Sequence, residues 1–331
     1  MKKNIPILQD VYKDYFKIGA AVNDKLIVSS KELIKKHFNS ITAENEMKPI
    51  SINPSKDKYT YEKADKLIDF AKENNKAVRG HTLVWHNQTS EDIFHDENGA
   101  KVSAEILTER LRQYISIVFN RYNDSVYCWD VVNEAVEDKG EQQLRKSNWL
   151  EILGENFLDI PFNLARELDP NVKLFYNDYN AVVPEKRDKI YELLKGMQDR
   201  GVALDGLGIQ GHWNLYDFEI DDIKAAIEKY AELDIDIHIT ELDISLFSFE
   251  DKSNDLKEPT DELLAKQADY YQDIFAIFRE YKDIISNVTL WGVADDYTWL
   301  DYFPVKDRKN WPLLFDENHQ PKDAFWKIID F

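Results

Sequence analysis

VYCWDVVNEA, residues 126–135, is the stretch whose reading decides the fold. Val and aromatic side chains favour strands, and a short apolar run of this kind fits a strand buried on both faces. The run then switches abruptly to Asn133-Glu134. A carboxylate at the end of a buried strand is costly to desolvate unless it has partners or a task. Taken alone, Glu134 reads as a helix cap or the partner of a lysine. The same event recurs in IDIHITELD, residues 235–243, an Ile-rich alternating run ending in Glu241 with Asp243 behind it. In a parallel β/α barrel the carboxyl ends of the strands carry the chemistry. Two carboxylates at one such mouth are the equipment of glycoside hydrolysis, one serving as acid/base and the other as nucleophile or second base.

Working outward, strand and helix alternate along the whole chain. FKIGAAV (16–22), SITAEN (40–45), AVRGHTLVWH (77–86), NVKLFYNDYN (171–180), LDGLGIQGHW (204–213) and NVTLWGVADD (287–296) read as further strands. Nearly every one ends in polar or aromatic residues. Between them, apolar residues at helical spacing predict helices over 29–38, 61–75, 103–122, 149–170, 184–201, 218–233, 260–283 and 325–331. Eight strands and eight helices make a single-domain (β/α)8 TIM barrel spanning 1–331 the most economical fold. A doubly wound sheet is the alternative, and it leaves the repeated strand ends unexplained. No linker, repeat beyond the β/α unit or appended carbohydrate-binding module is visible. Two long polar or aromatic loops, 249–260 and 296–320, belong to the class that is often functional.

Composition narrows the partners. The 331 residues are 43% hydrophobic, enough for one large core. The formal net charge of −20 argues against nucleic acid and anionic membranes, which need basic patches. No apolar run approaches the ~18 residues that span a bilayer. Lys2 and Lys3 are followed by no apolar core, so a secretory leader is not expected. With the single cysteine, Cys128, which allows no internal disulfide, this reads as a cytoplasmic protein. The motifs Asn87-Gln-Thr, Asn123-Asp-Ser and Asn287-Val-Thr then read as chance matches to a glycosylation signal. No metal or other cofactor is expected. The histidines form no tight ligand cluster, HTLVWH lacks the glutamate of the zinc motif, and there is no Gly-rich phosphate loop.

ITAENEMK (41–48), RGHTLVWHNQ (79–88), CWDVVNEA (128–135), NDYN (177–180), GIQGHW (208–213), ITELD (239–243), LWGVADDYTWL (290–300) and LLFDENHQPK (313–322) together resemble glycoside hydrolase family 10. The resemblance runs from about residue 16 to the C-terminus and is closest to the intracellular branch. It implies a retaining endo-β-1,4-xylanase acting on xylan or xylo-oligosaccharides, short imported ones in a cytoplasmic setting. It makes Glu134 the general acid/base and Glu241 the nucleophile, with carboxyl groups ~5–5.5 Å apart and environments that push their pKa values apart. It places His212 against the nucleophile, with Asp243 orienting it, although a buried His212 alone would read as a core histidine. Asn133 matches the residue that bonds the sugar 2-hydroxyl. Glu44, Asn45, Lys48, His81 and Gln88 match residues that hold the glycone sugars, although Lys48 alone could be a surface charge. Trp85, Trp291 and Trp299 match aromatic walls, although any buried Trp can be plain core. Tyr179 and Gln210 match contacts near the cleavage point. Residues 89–94 and 300–312 depart from the pattern, which bears on the outer subsites. A retaining β-1,4-glucanase or β-glycosidase and a non-catalytic sugar-binding barrel remain as alternatives.

Overall fold

A computed structural model describes residues 5–331; Lys2 and Lys3, which entered the leader-peptide reading, lie outside the described residues. The strands are β1 (Lys17–Val22), β2 (Ser40–Ala43), β3 (Ala77–Trp85), β4 (Val126–Asn133), β5 (Lys173–Asp178), β6 (Gly206–Ile209), β7 (His212–Asn214), β8 (Asp236–Ser245) and β9 (Ile285–Leu290). All pairings among them are parallel. They run β1 to β6 in order, then β6 to β8, β8 to β9, and β9 back to β1, where Lys17 faces Asn287. The wall is therefore a closed eight-stranded barrel, and the doubly wound alternative falls.

The sixth expected strand, 204–213, divides into β6 and β7. Gly211 turns the chain at φ +78°, and β7 continues along β8 alone, with His212 opposite Asp243. A positive φ of this size suits glycine. The break lifts Gln210 and His212 to the barrel mouth. One turn lower, Gly208 leaves room for a neighbour: a Cβ there would lie 2.1 Å from Asn177 Oδ1. The missing side chain lets Asn177 reach inward from β5.

Amphipathic helices cover the barrel. Glu62–Glu73 buries Ala64, Leu67, Ile68, Phe70 and Ala71, the spacing of one helical face. Each large apolar side chain so buried contributes about 1.5–3 kcal/mol. Ala104–Tyr122 and Asp261–Glu280 start on Ser103 and Thr260, whose hydroxyls accept from the Ile106 and Leu263 amides, satisfying a donor the first turn leaves open. Pro184–Asp199 and Ile220–Ala231 fall within the expected spans, and the closing helix is Asp323–Ile329. Two expectations need correction. The helix expected over 149–170 is two, Asn148–Leu153 and Asp159–Leu168, because Gly154 ends the first at φ +82°. The one expected over 29–38 is Lys31–His37, preceded by a short Leu26–Ser29, and the Ser30 side chain between them makes no capping bond. No described helix is long and apolar enough to cross a membrane.

Low in the barrel a polar layer replaces the usual aliphatic one. Arg79 on β3 and Asp130 on β4 are fully buried and form a two-pronged ion pair. Burial pushes the Asp130 carboxyl up, but Arg79 and then His81 outweigh it and hold the group below the ordinary aspartate value. His81 Nδ1 lies 2.9 Å from Asp130 Oδ2, so this layer supports the site above it.

Candidate active site

Glu134 follows the last residue of β4 and adopts φ +57°, a left-handed conformation that costs a non-glycine residue energy. Its carboxylate accepts two neutral donors: Trp85 Nε1 to Oε2 at 2.9 Å and Gln210 Nε2 to Oε1 at 2.9 Å. Glu241 lies within β8 and is buried. Its Oε1 accepts from Asn177 Nδ2 at 2.8 Å, and its Oε2 lies 3.2 Å from His212 Nε2. The two carboxylates are joined by amides. Gln210 and Asn177 both approach the Asn133 amide, at 3.4 and 2.8 Å, while each bonds one glutamate.

Charge separates the two environments. His212 stands between two buried carboxylates, with Nδ1 3.0 Å from Asp243 Oδ2. Burial pulls the imidazolium down, but Asp243 and then Glu241 raise it to about 10. It is therefore a cation at neutral pH. Burial pushes Glu241 up in turn, yet the His212 bond, the charges of His81 and His212 and the Asn177 amide hold it below the ordinary glutamate value. Lys48 adds a second cation. Burial draws its ammonium below the usual lysine value against the pull of Glu241, Glu44, Glu134 and Glu46. Its Nζ lies over the ring of Trp85, whose N–H bonds Glu134.

Most of the residues singled out from sequence gather here. Lys48 Nζ bonds Asn45 Oδ1 at 3.0 Å. Glu44 accepts from Asn23 Nδ2 at 2.8 Å and Tyr297 Oη at 3.3 Å. His81 meets Trp291 edge to face at 5.6 Å, and Trp291 meets His212 likewise at 6.0 Å. Trp299 donates Nε1 to Asp243 Oδ2 at 2.8 Å and stacks on Phe303 at 5.4 Å, so its aromatic shelf continues outward into the divergent segment 300–312. Arg308 ties that segment to the loop at 249–260 through the Asp251 and Ser253 carbonyls. Tyr179 Oη is engaged by Arg145 and Asp138.

Two placements differ in kind from the expectation. Trp85, read as an aromatic wall, holds Glu134 through its indole N–H and lies beside Lys48, whose Nζ is 5.1 Å from the ring. Gln88 stands apart from the gathered set: its side chain is exposed, and its carbonyl accepts from Ile50 N at 2.7 Å. Sequence reasoning passed over Asn177, Asn23 and Tyr297. Asn177 carried a usable signal, since Asn177-Asp178 closes a buried strand just as Asn133-Glu134 does. Among the described residues, no three His, Cys, Asp or Glu side chains are grouped to hold a metal ion.

Comparison with known proteins matches this geometry to one family. The model described as glycosyl hydrolase family 10 matches residues 7–331. An "Endo-1,4-beta-xylanase B" of Paenibacillus barcinonensis is 52% identical, over 99% of this chain and 99% of its own. An "Endo-1,4-beta-xylanase" of Geobacillus stearothermophilus is 50% identical over 100% of each. A solved mutant structure in complex with xylotriose superposes with a TM-score of 0.97 at 51% identity, covering 98% of this chain and 100% of that one.

Proposed function

We infer the chemistry from one premise: this chain belongs to glycosyl hydrolase family 10. It is a retaining endo-β-1,4-xylanase, hydrolysing internal xylosidic bonds of xylan and xylo-oligosaccharides by double displacement. One observation carries the residue roles. At the mouth stand two glutamates, one after β4 and one on β8, three barrel positions apart, one bonded by a cation and the other by neutral donors only.

Glu241 is the nucleophile. Held ionised, it attacks the anomeric carbon while Glu134 gives its proton to the departing sugar oxygen. The glycosidic C–O bond breaks and an ester to Glu241 forms. Water then attacks the same carbon, Glu134 takes its proton, and the Glu241 ester bond breaks to release the β-configured product. His212 and Asn177 stabilise the Glu241 carboxylate before attack and again as it leaves. Trp85 and Gln210 aim Glu134 at the leaving oxygen. Asn133, beside both, bonds the 2-hydroxyl. Glu44, Asn45, Lys48 and His81 hold the glycone sugars, with Trp291 and Trp299 as walls. Tyr179 supports the leaving sugar, and Gln88 serves the outer rim. The finer reading is a cytoplasmic enzyme trimming short xylo-oligosaccharides; the single buried thiol, Cys128, supports it because such a chain suits a reducing compartment.

The test is xylotetraose hydrolysis followed by proton NMR, wild type beside Glu134→Gln and Glu241→Gln. Wild type should release β-configured xylobiose and xylose, and Glu241→Gln should lose about 10⁴-fold or more of turnover. First release of the α-anomer, or near-normal turnover by Glu241→Gln, would overturn the assignment.

A further inference from the structure

We propose that Tyr176, Asp178, Lys186, Asp138 and Arg145 are positioning residues, which link the backbone of the acid/base to Tyr179 through a closed circuit of hydrogen bonds. The proposal rests on Glu134 being the acid/base and Tyr179 facing the leaving sugar.

The circuit can be followed atom by atom. The amides of Ala135 and Val136, immediately after Glu134, both donate to Tyr176 Oη, at 3.0 and 3.1 Å. Tyr176 Oη donates onward to the Asp178 carboxylate. Lys186 Nζ pairs with Asp178 at 2.9 Å and with Asp138 at 2.7 Å. Asp138 accepts from Tyr179 Oη, which itself accepts from Arg145 Nη2. Arg145 Nε then donates to the Glu134 carbonyl at 3.3 Å, which closes the path. The Lys186 ammonium also lies 3.6 Å from the centre of the Tyr179 ring.

Three features give this arrangement a task beyond packing. It closes on Glu134 at φ +57°, a conformation a glutamate keeps only when its surroundings over-determine it. It contains two carboxylates and two cations, so its charges balance, with Tyr176, Asp178 and Lys186 each almost wholly buried. Charge-assisted bonds in such a setting are stiff, because breaking any one leaves a buried charge unmatched. And one of its half-buried members, Tyr179, directly follows the carboxyl end of β5. A leaving sugar seated on Tyr179 therefore presses on the same network that fixes the direction of the Glu134 side chain. Protonation of the leaving oxygen is tuned by what occupies the leaving side.

The experiment compares two substrates. Xylotetraose expels a sugar hydroxyl that needs a proton, whereas 2,4-dinitrophenyl β-xylobioside expels a phenolate that needs none. For both, kcat/KM reports the bond-breaking step. Tyr176→Phe and Asp138→Asn should each lower kcat/KM on xylotetraose by roughly 10–100-fold, within the range of a misdirected general acid, and on the dinitrophenyl substrate by less than about 3-fold. Asp138 bonds Tyr179 and not Glu134, so Asp138→Asn is also run on phenyl β-xylobioside, whose leaving oxygen needs a proton but seats no sugar on Tyr179; a loss there that is absent on the dinitrophenyl substrate travels through the circuit. Equal losses on both substrates, or an unaffected Asp138→Asn enzyme, overturn the proposal. Arg145→Lys cuts the path at the Glu134 carbonyl and serves if Tyr176→Phe fails to fold. Glu134→Gln is run alongside. If it lacks leaving-group selectivity, the acid/base assignment itself fails; if it is selective and the other variants are not, the circuit alone fails.

Discussion

Replacing His212 by glutamine should destabilise this protein at pH 6 and far less at pH 10. His212 lies 3.2 Å from Glu241 Oε2 and 3.0 Å from Asp243 Oδ2, and both carboxylates are buried. Burial works against the imidazolium, but Asp243 and then Glu241 raise its pKa from 6.5 to about 10. At about 1.36 kcal/mol per unit, that rise sets an upper bound of roughly 5 kcal/mol on what the charged form adds to folding. The folded-state value lies above the unfolded one. The contribution is thus present in full below pH 6.5 and is lost as pH climbs through about 10. With an unfolding entropy of about 2.1 cal/mol/K per residue, the 331 residues translate that bound into a drop of about 7 °C in Tm. The assay is thermal unfolding followed by circular dichroism, wild type beside His212→Gln, from pH 5.5 to 10. A gap of several degrees at pH 6 should narrow steadily towards pH 10. A gap that is the same at every pH, or absent at pH 6, would refute the picture of a cation clamped between two carboxylates.

Removing the Asn177 donor in Asn177→Ala should lower kcat/KM on xylotetraose by roughly 10–100-fold, since a hydrogen bond to a charged group contributes about 1.5–3 kcal/mol. It should also move the acid limb of the pH profile upward, because Glu241 loses one of the groups that hold its pKa down. Trp85→Phe keeps an aromatic ring, though a smaller one, but drops the N–H on Glu134; a fall of about 10-fold in kcat with KM changed less is expected from steady-state kinetics. Gly208→Ala places a methyl where Asn177 Oδ1 sits, and Thr240 Cγ2 at 2.9 Å blocks retreat on that side. Activity and Tm should fall together there, read by the same assays.

The barrel was legible because each strand carried its own evidence, an apolar run closed by polar or aromatic residues. Glu134 and Glu241 stood out for the same reason, as charges ending runs that predict burial. What stayed hidden depends on pairing between strands. The division of the sixth strand follows from Gly211 and from the partner offered by β8 beyond Gln210, and only the second of these is non-local. The break at Gly154 was visible as a glycine, yet the apolar spacing on either side continued the helical pattern and outvoted it. Asn177 was read only as the polar end of a strand, because its partners, Asn133, Thr240 and Glu241, lie 44 to 64 positions away. Trp85 was read as a wall at the mouth, but a sequence gives no direction for an indole N–H.

Closure of the barrel has a consequence for how the chain comes into being. β1 is complete at Val22, while the strand that covers its other side, β9, begins only at Ile285. At about 5–20 residues per second of synthesis, tens of seconds separate the two. Throughout that interval an arc of parallel strands leaves the ribosome with both margins unpaired, and margins of that sort recruit other strands. The helices wound between successive strands shield the outer face of the arc but not its edges. Tyr12, whose hydroxyl donates to the Ile328 carbonyl, then fastens the start of the chain to its last helix once the cylinder has shut. The part of the molecule most exposed to misassembly is thus a seam that exists only before the protein is finished.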